Sequence, residues 1–160
     1  MRQKTAFLGI FAAVAIIFGY VESLIPVFIG IPGVKLGLAN LAVVLILDRY
    51  SVKEAALVSV VRILVIGFLF GNMFGILYSL AGAALSLTVM ALLRKYGRLS
   101  LVGISVAGGV SHNLGQLIVA MLIVENASLI YYFPVLMISG IVTGMLIGWL
   151  TQETAKRIRF

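Results

Sequence analysis

Near-continuous apolar runs decide what this chain can become. In Ile63-Leu64-Val65-Ile66-Gly67-Phe68-Leu69-Phe70 no polar residue interrupts the run. A half-buried strand or a membrane barrel strand would alternate polar and apolar positions, so this pattern argues for helices. A helix needs roughly 20 apolar residues to cross the hydrocarbon core. The sequence predicts spans over residues 5–25, 36–48, 52–71, 73–93, 100–124 and 129–150. The second is short and is expected to be tilted, broken or partly re-entrant. The expected fold class is therefore all-α, a polytopic membrane bundle of six helices in one domain over residues 1–160.

Composition removes the alternatives. With 62% hydrophobic and 11% charged residues, and a mean hydropathy of +1.21, the chain lacks the polar coat that a small soluble globule needs. An ordinary cytosolic domain, a disordered tail and a disulfide-rich secreted module are excluded. Cysteine is absent, which excludes thiol catalysis, thiolate metal sites and disulfides.

The breaks between spans carry turn chemistry. Pro26, Gly30, Pro32 and Gly33 interrupt the chain after span one. Ser51 and Glu54 have the spacing of a capping box at the start of span three. Gly71-Asn72, Arg94-Lys95-Tyr96-Gly97-Arg98 and Glu125-Asn126 separate the later spans.

The net charge of +7 is a matter of topology. Arg2, Lys4, Arg49, Lys53, Arg94, Lys95, Arg98, Lys156, Arg157 and Arg159 all fall on one side of the predicted spans. Lys35 alone lies on the other side, and Arg62 lies within a span. Positive loops stay in the cytoplasm, so both termini are predicted to be cytoplasmic, and no nucleic-acid partner is expected. Span one reads as an uncleaved signal-anchor, because its apolar run continues past the weak Ala13-Val14-Ala15 cleavage pattern.

Polar groups at membrane depth are costly and therefore informative. Arg62 lies about 13 Å beyond Lys53 at 1.5 Å per residue. His112 lies about 18 Å beyond Ser100 by the same rise. The two are predicted to sit at comparable depths and to face one cavity. On span five, Ser105, Gly108, Gly109, His112, Asn113, Gly115 and Gln116 share one side of the helical wheel. Val106, Ala107, Val110, Leu114, Leu117, Ile118 and Met121 share the other, which is predicted to face lipid. The polar side serves a ligand or a close helix seam.

A second group gathers toward the outer side: Glu22, Lys35, Asn40, Asn72, Glu125, Asn126, Tyr131 and Tyr132. Glu22 and Lys35 can pair across the Pro/Gly loop, and the tyrosines suit interfacial anchoring. Gly140, Gly144 and Gly148 form a small-residue stripe for helix packing or partner docking, and Gly9 with Ala13 forms a weaker one.

No catalytic set emerges. There is no phosphate-binding P-loop, no H-E-x-x-H, and a single histidine cannot build a common zinc site, so no metal is expected. Asp48 is the only aspartate, whereas metal-dependent prenyl transfer needs clustered aspartates to hold magnesium on a diphosphate. No acid is placed to complete a Ser/His/Asp triad around His112.

Three ordered motifs carry a resemblance over nearly the whole chain. They are Pro32-Gly33-Val34-Lys35-Leu36-Gly37-Leu38-Ala39-Asn40, Leu69-Phe70-Gly71-Asn72, and Gly108-Gly109-Val110-Ser111-His112-Asn113-Leu114-Gly115-Gln116. Together they resemble a bacterial family named both Gx transporter and heptaprenyl diphosphate synthase component I. That family is similar to the substrate-binding S components of energy-coupling-factor (ECF) transporters.

The resemblance implies a six-helix protein of the bacterial cell (inner) membrane that binds a small solute near the outer face. It implies a transmembrane coupling protein and cytoplasmic ATPases as partners, with ATP used only by those partners and no cofactor in this chain. The solute is expected to be anionic, or to resemble a vitamin or quinone precursor. The expected binding residues are Lys35, Asn40, Arg62, Asn72, His112, Asn113 and Gln116, with Glu22, Glu125 and Asn126 as gate residues. The alternative is a non-catalytic membrane subunit of heptaprenyl diphosphate synthesis for menaquinone. A third reading is an assembly protein whose small and polar faces serve packing alone.

Overall fold

The shortest helix lies at the centre. In a computed structural model that describes residues 2–24, 36–97 and 99–157, the elements are α1 (Arg2–Leu24), α2 (Leu38–Arg49), α3 (Val52–Phe70), α4 (Met73–Tyr96), α5 (Leu101–Val124), a 3-10 turn (Ala127–Tyr132) and α6 (Phe133–Arg157). No strand occurs among the described residues. α2 has 12 residues and packs against α1, α3 and α6. Residues 42–47 of α2 are all buried, and Leu45, Ile46 and Leu47 are among the largest fully enclosed side chains. A helix apolar all round belongs inside a bundle or in lipid, and here its neighbours supply the apolar surround.

Local chemistry sets the helix ends. The Asn72 side chain accepts from Gly75 N at 2.7 Å, and the Ser100 hydroxyl accepts from Gly103 N at 3.2 Å. Each satisfies one of the backbone donors that a helix start leaves open. The predicted Ser51/Glu54 box takes another form. Ser51 is the N-cap, but its hydroxyl donates to the Glu54 carboxylate instead of accepting from the backbone, and Glu54 is also held by Lys4 of α1.

The last span also differs from the predicted 129–150. Residues 127–132 form a 3-10 turn, and α6 runs on to Arg157. Pro134 has no N–H and a fixed φ, so it is suited to the first turn of a helix that begins at Phe133.

α5 and α6 approach backbone to backbone. A Cβ on Gly140, Gly144 or Gly148 would stand 2.9, 2.6 or 2.7 Å from the Cα of Val110, Val106 or Val102. The descending and ascending numbers give an antiparallel register in steps of four, one helical turn each. This corrects the lipid-facing assignment of part of α5, because Val106 and Val110 lie under α6 and Leu117 is 5% exposed. The opposite contact is made with α4, where a Cβ on Gly115 would meet the Ala81 carbonyl oxygen at 2.8 Å.

One pole of the bundle is stapled and basic. Lys4 at the start of α1 pairs with Glu54 at the start of α3. Arg49 at the end of α2 donates to the Ala155 carbonyl of α6, and Arg94 at the end of α4 donates to the Asp48 carbonyl. Cations at helix C-termini also complement the helix dipole.

The flanks are apolar. Ile17, Leu122, Ile138 and Trp149 are each more than half exposed. Among the described residues four helical stretches are long and apolar enough to cross a membrane: Lys4–Leu24, Met73–Tyr96, Leu101–Val124 and Ala127–Arg157. α3 carries Lys53, Glu54 and Arg62, and α2 is short.

Candidate functional site

Arg62 stands in the middle of α3, and its Nη2 donates to Asn40 Oδ1 at 2.6 Å. Asn40 lies in the first turn of α2. The Arg62 Nε is buried and has no partner among the described residues. A buried polar group without a partner costs free energy, more when it is charged.

Glu22, in the last turn of α1, closes the cluster. Its Oε1 accepts from Gly37 N at 2.5 Å, and its carboxylate interacts electrostatically with Arg62. Gly37 is the N-cap of α2 with φ +76°, a left-handed conformation in which a side chain is strained. The carboxylate therefore sits at the positive end of α2, where a negative charge is favoured. Three helices thus bring a carboxylate, an amide and a guanidinium together. Glu22 was expected as a gate residue; the structure sets it beside the cation.

Asn40 has a second outlook. It lines a small, half-open pocket of about 30 Å³ between α2, α4, α5 and α6, together with Ser86, Ser105 and Thr143. That volume accommodates a water molecule and not a vitamin-sized guest. Ser86 was not among the sequence candidates. The available signal was its position four residues after Gly82 on α4, which places a small and a polar residue on one helix face.

The other candidates spread over the bundle. His112 and Gln116 pack on α4, where a Cβ at Gly82 would meet His112 Nε2 and Gln116 Cγ, each at 2.9 Å. Asn113 turns the other way, and its Nδ2 donates to the Leu136 carbonyl of α6 at 2.7 Å. The polar face of α5 is thus shared between two helix seams. Asn72 caps α4. Glu125 ends α5 with φ 52°, and Asn126 accepts from Ser128 N at 3.0 Å to start the 3-10 turn. Tyr131 is 84% exposed, and Tyr132 is also exposed. Lys35 and the Pro/Gly segment 26–33 lie outside the described residues.

Gly140, Gly144 and Gly148 pack internally on α5, whereas a Cβ on Gly9 would meet nothing within 4 Å and Ala13 is exposed. No group of three or more His, Cys, Asp or Glu able to hold a metal occurs among the described residues.

The Arg62–Asn40 bond yields a direct expectation. Asn40→Ala removes the acceptor and leaves a further guanidinium donor unpaired. Thermal unfolding in detergent should show a loss of about 1–3 kcal/mol. Asn40→Asp keeps the acceptor and adds a countercharge, so its midpoint should stay close to that of the parent.

Comparison with known proteins adds one match. The family model described as heptaprenyl diphosphate synthase component I matches residues 11–154. No curated protein and no solved structure matches the chain.

Proposed function

Since the chain belongs to the heptaprenyl diphosphate synthase component I family, whose name implies a partner subunit, we propose that it is a partner-dependent, non-catalytic binding component of the bacterial inner membrane. In this reading it captures a small anionic solute for an ATPase-coupled transporter of the ECF type. One observation carries the proposal: Arg62 is half-buried between helices, and its Nε is buried with no hydrogen-bond partner among the described residues.

An intramembrane cation without a full set of partners is expensive to keep. It is retained where an anionic guest completes the set, because charge-assisted hydrogen bonds to a guanidinium are strong and directional. The basic pole faces the cytoplasm by the positive-inside rule. Glu22, Gly37 and Asn40 then lie toward the outer face, and a solute approaches Arg62 from that side. Asn40 orients the guanidinium and Glu22 offsets its charge while the site is vacant. Lys35, His112, Asn113 and Gln116 remain candidate contacts, the last three from the α5 seams with α4 and α6, and Asn72, Glu125 and Asn126 remain candidate gate or rim residues.

The sequence contains no P-loop, so ATP would be used by cytoplasmic ATPases acting through a transmembrane coupling protein. Affinity capture of the tagged full chain from its native membrane should recover ATPase subunits in fixed ratio. Recovery of the chain alone, under conditions that keep other membrane complexes intact, would contradict the transport reading.

The family name favours a second reading, a membrane subunit of heptaprenyl diphosphate synthesis. Its test is separate: purified chain is added to a soluble prenyl-diphosphate synthase from the same cell. A several-fold rise in long-chain product would support that reading, and an unchanged rate would remove it.

A further inference from the structure

The basic pole contains a recess of about 210 Å³ where α2 and α4 end and α5 begins. Its floor is apolar: Val44, Leu47 and Ile104 line it and are 3%, 2% and 7% exposed. Its rim is charged and includes Asp48 and Arg94. Arg94 uses Nη2 on the Asp48 main-chain carbonyl. A guanidinium carries five N–H donors, so further donors remain. The Asp48 carboxylate is countered by Arg49 Nε at 3.4 Å.

The first turn of α5 adds to the positive side of this rim. The hydroxyl and carbonyl of Ser100 accept the Gly103 and Ile104 amides at 3.2 and 3.0 Å. The Leu101 and Val102 amides precede the first intrahelical acceptor, at the positive end of the helix.

An apolar floor lies under a rim on which Arg49 counters the Asp48 carboxylate and leaves the Arg94 guanidinium as the uncompensated charge. We propose that this recess binds an anionic phospholipid, with the headgroup phosphate between Arg94 and the start of α5 and an acyl chain lying over Leu99 along the floor. The assignment is independent of the solute site at Arg62 and of whether the chain serves transport or synthesis. It places a lipid contact at the pole where the ends of α2, α4 and α5 meet.

The test uses the full chain in detergent, titrated with dioleoyl phosphatidylglycerol or dioleoyl phosphatidylcholine and read by native mass spectrometry. Phosphatidylglycerol should bind about fivefold more tightly, the size of one cation acting on an anionic lipid. Arg94→Gln should abolish that preference, and Arg94→Lys should keep most of it. Leu99 is 52% exposed, so Leu99→Ser should leave the fold intact and weaken binding of both lipids.

Equal affinity for the two lipids overturns the proposal, as does a preference unchanged in Arg94→Gln. If Arg94→Gln does not fold, unchanged phosphatidylglycerol affinity in Leu99→Ser overturns it. Displacement of the lipid by millimolar inorganic phosphate would assign the rim to a free anion and also overturn it.

Discussion

Gly144→Val is expected to unfold the α5–α6 half of the protein or to leave it unable to assemble. A Cβ at Gly144 would stand 2.6 Å from Val106 Cα and 2.9 Å from the Ser105 carbonyl oxygen. Both obstacles are main chain, so no rotamer change relieves the clash. The helices must separate, and the contacts of Gly140 and Gly148 are lost with that of Gly144.

Overpacking a core usually costs 1–3 kcal/mol, and a backbone obstacle puts this case at about 3 kcal/mol or more. Thermal unfolding followed by circular dichroism, or the monodisperse fraction on size exclusion, would register it. Gly9→Ala is the control. The site is open and alanine favours helix by up to about 1 kcal/mol, so the midpoint should hold or rise. A Gly144→Val protein as stable as the parent would contradict the seam.

Arg62→Gln is expected to separate binding from stability. Glutamine keeps a donor for Asn40 and removes a charge whose Nε has no hydrogen-bond partner among the described residues. Removing the guanidinium relieves its desolvation cost but takes a countercharge from Glu22, which keeps the Gly37 N–H and the positive end of α2, so the ligand-free protein should fold with at most a modest loss of stability. Binding should fall much further. Loss of a charged hydrogen bond costs about 1.5–3 kcal/mol, which is roughly a 10- to 150-fold drop in affinity. A large fall in stability, with no change in what the protein retains, would make Arg62 a structural residue.

Much of the helical pattern is legible in the residues themselves. Asn72, Ser100 and Asn126 mark helix starts by their side-chain oxygens, and all three act as caps. Pro134 marks the true start of α6, although the apolar count alone suggested an earlier one.

Burial is less legible, because it is conferred by neighbours. The run Val43-Val44-Leu45-Ile46-Leu47 would read the same facing lipid or facing protein, and only the packing of α1, α3 and α6 around it decides. Val106 and Val110 looked lipid-facing on a wheel, but the glycines of α6 let that helix close over them. A glycine stripe announces a close contact without naming the helix that makes it.

The site divides along the same line. Depth could be counted along each helix, so Arg62 and His112 were set at one level. Which helix stands next to which is a property of the bundle. Thus Asn40 is the partner of Arg62, while His112 and Gln116 meet α4 and Asn113 meets α6. Glu22 and Gly37 lie 15 positions apart in the chain, and their hydrogen bond follows from the return of the backbone from α1 into α2.

The decisive measurement is mass spectrometry of the small molecules that the full chain retains through gentle purification, run in parallel on Arg62→Gln. The parent protein should carry one anionic compound in fixed ratio, lost or reduced at least tenfold in the variant. A parent protein that carries no such compound, or a variant that carries it equally well, would contradict the claim that Arg62 is kept within the bundle to hold an anionic guest.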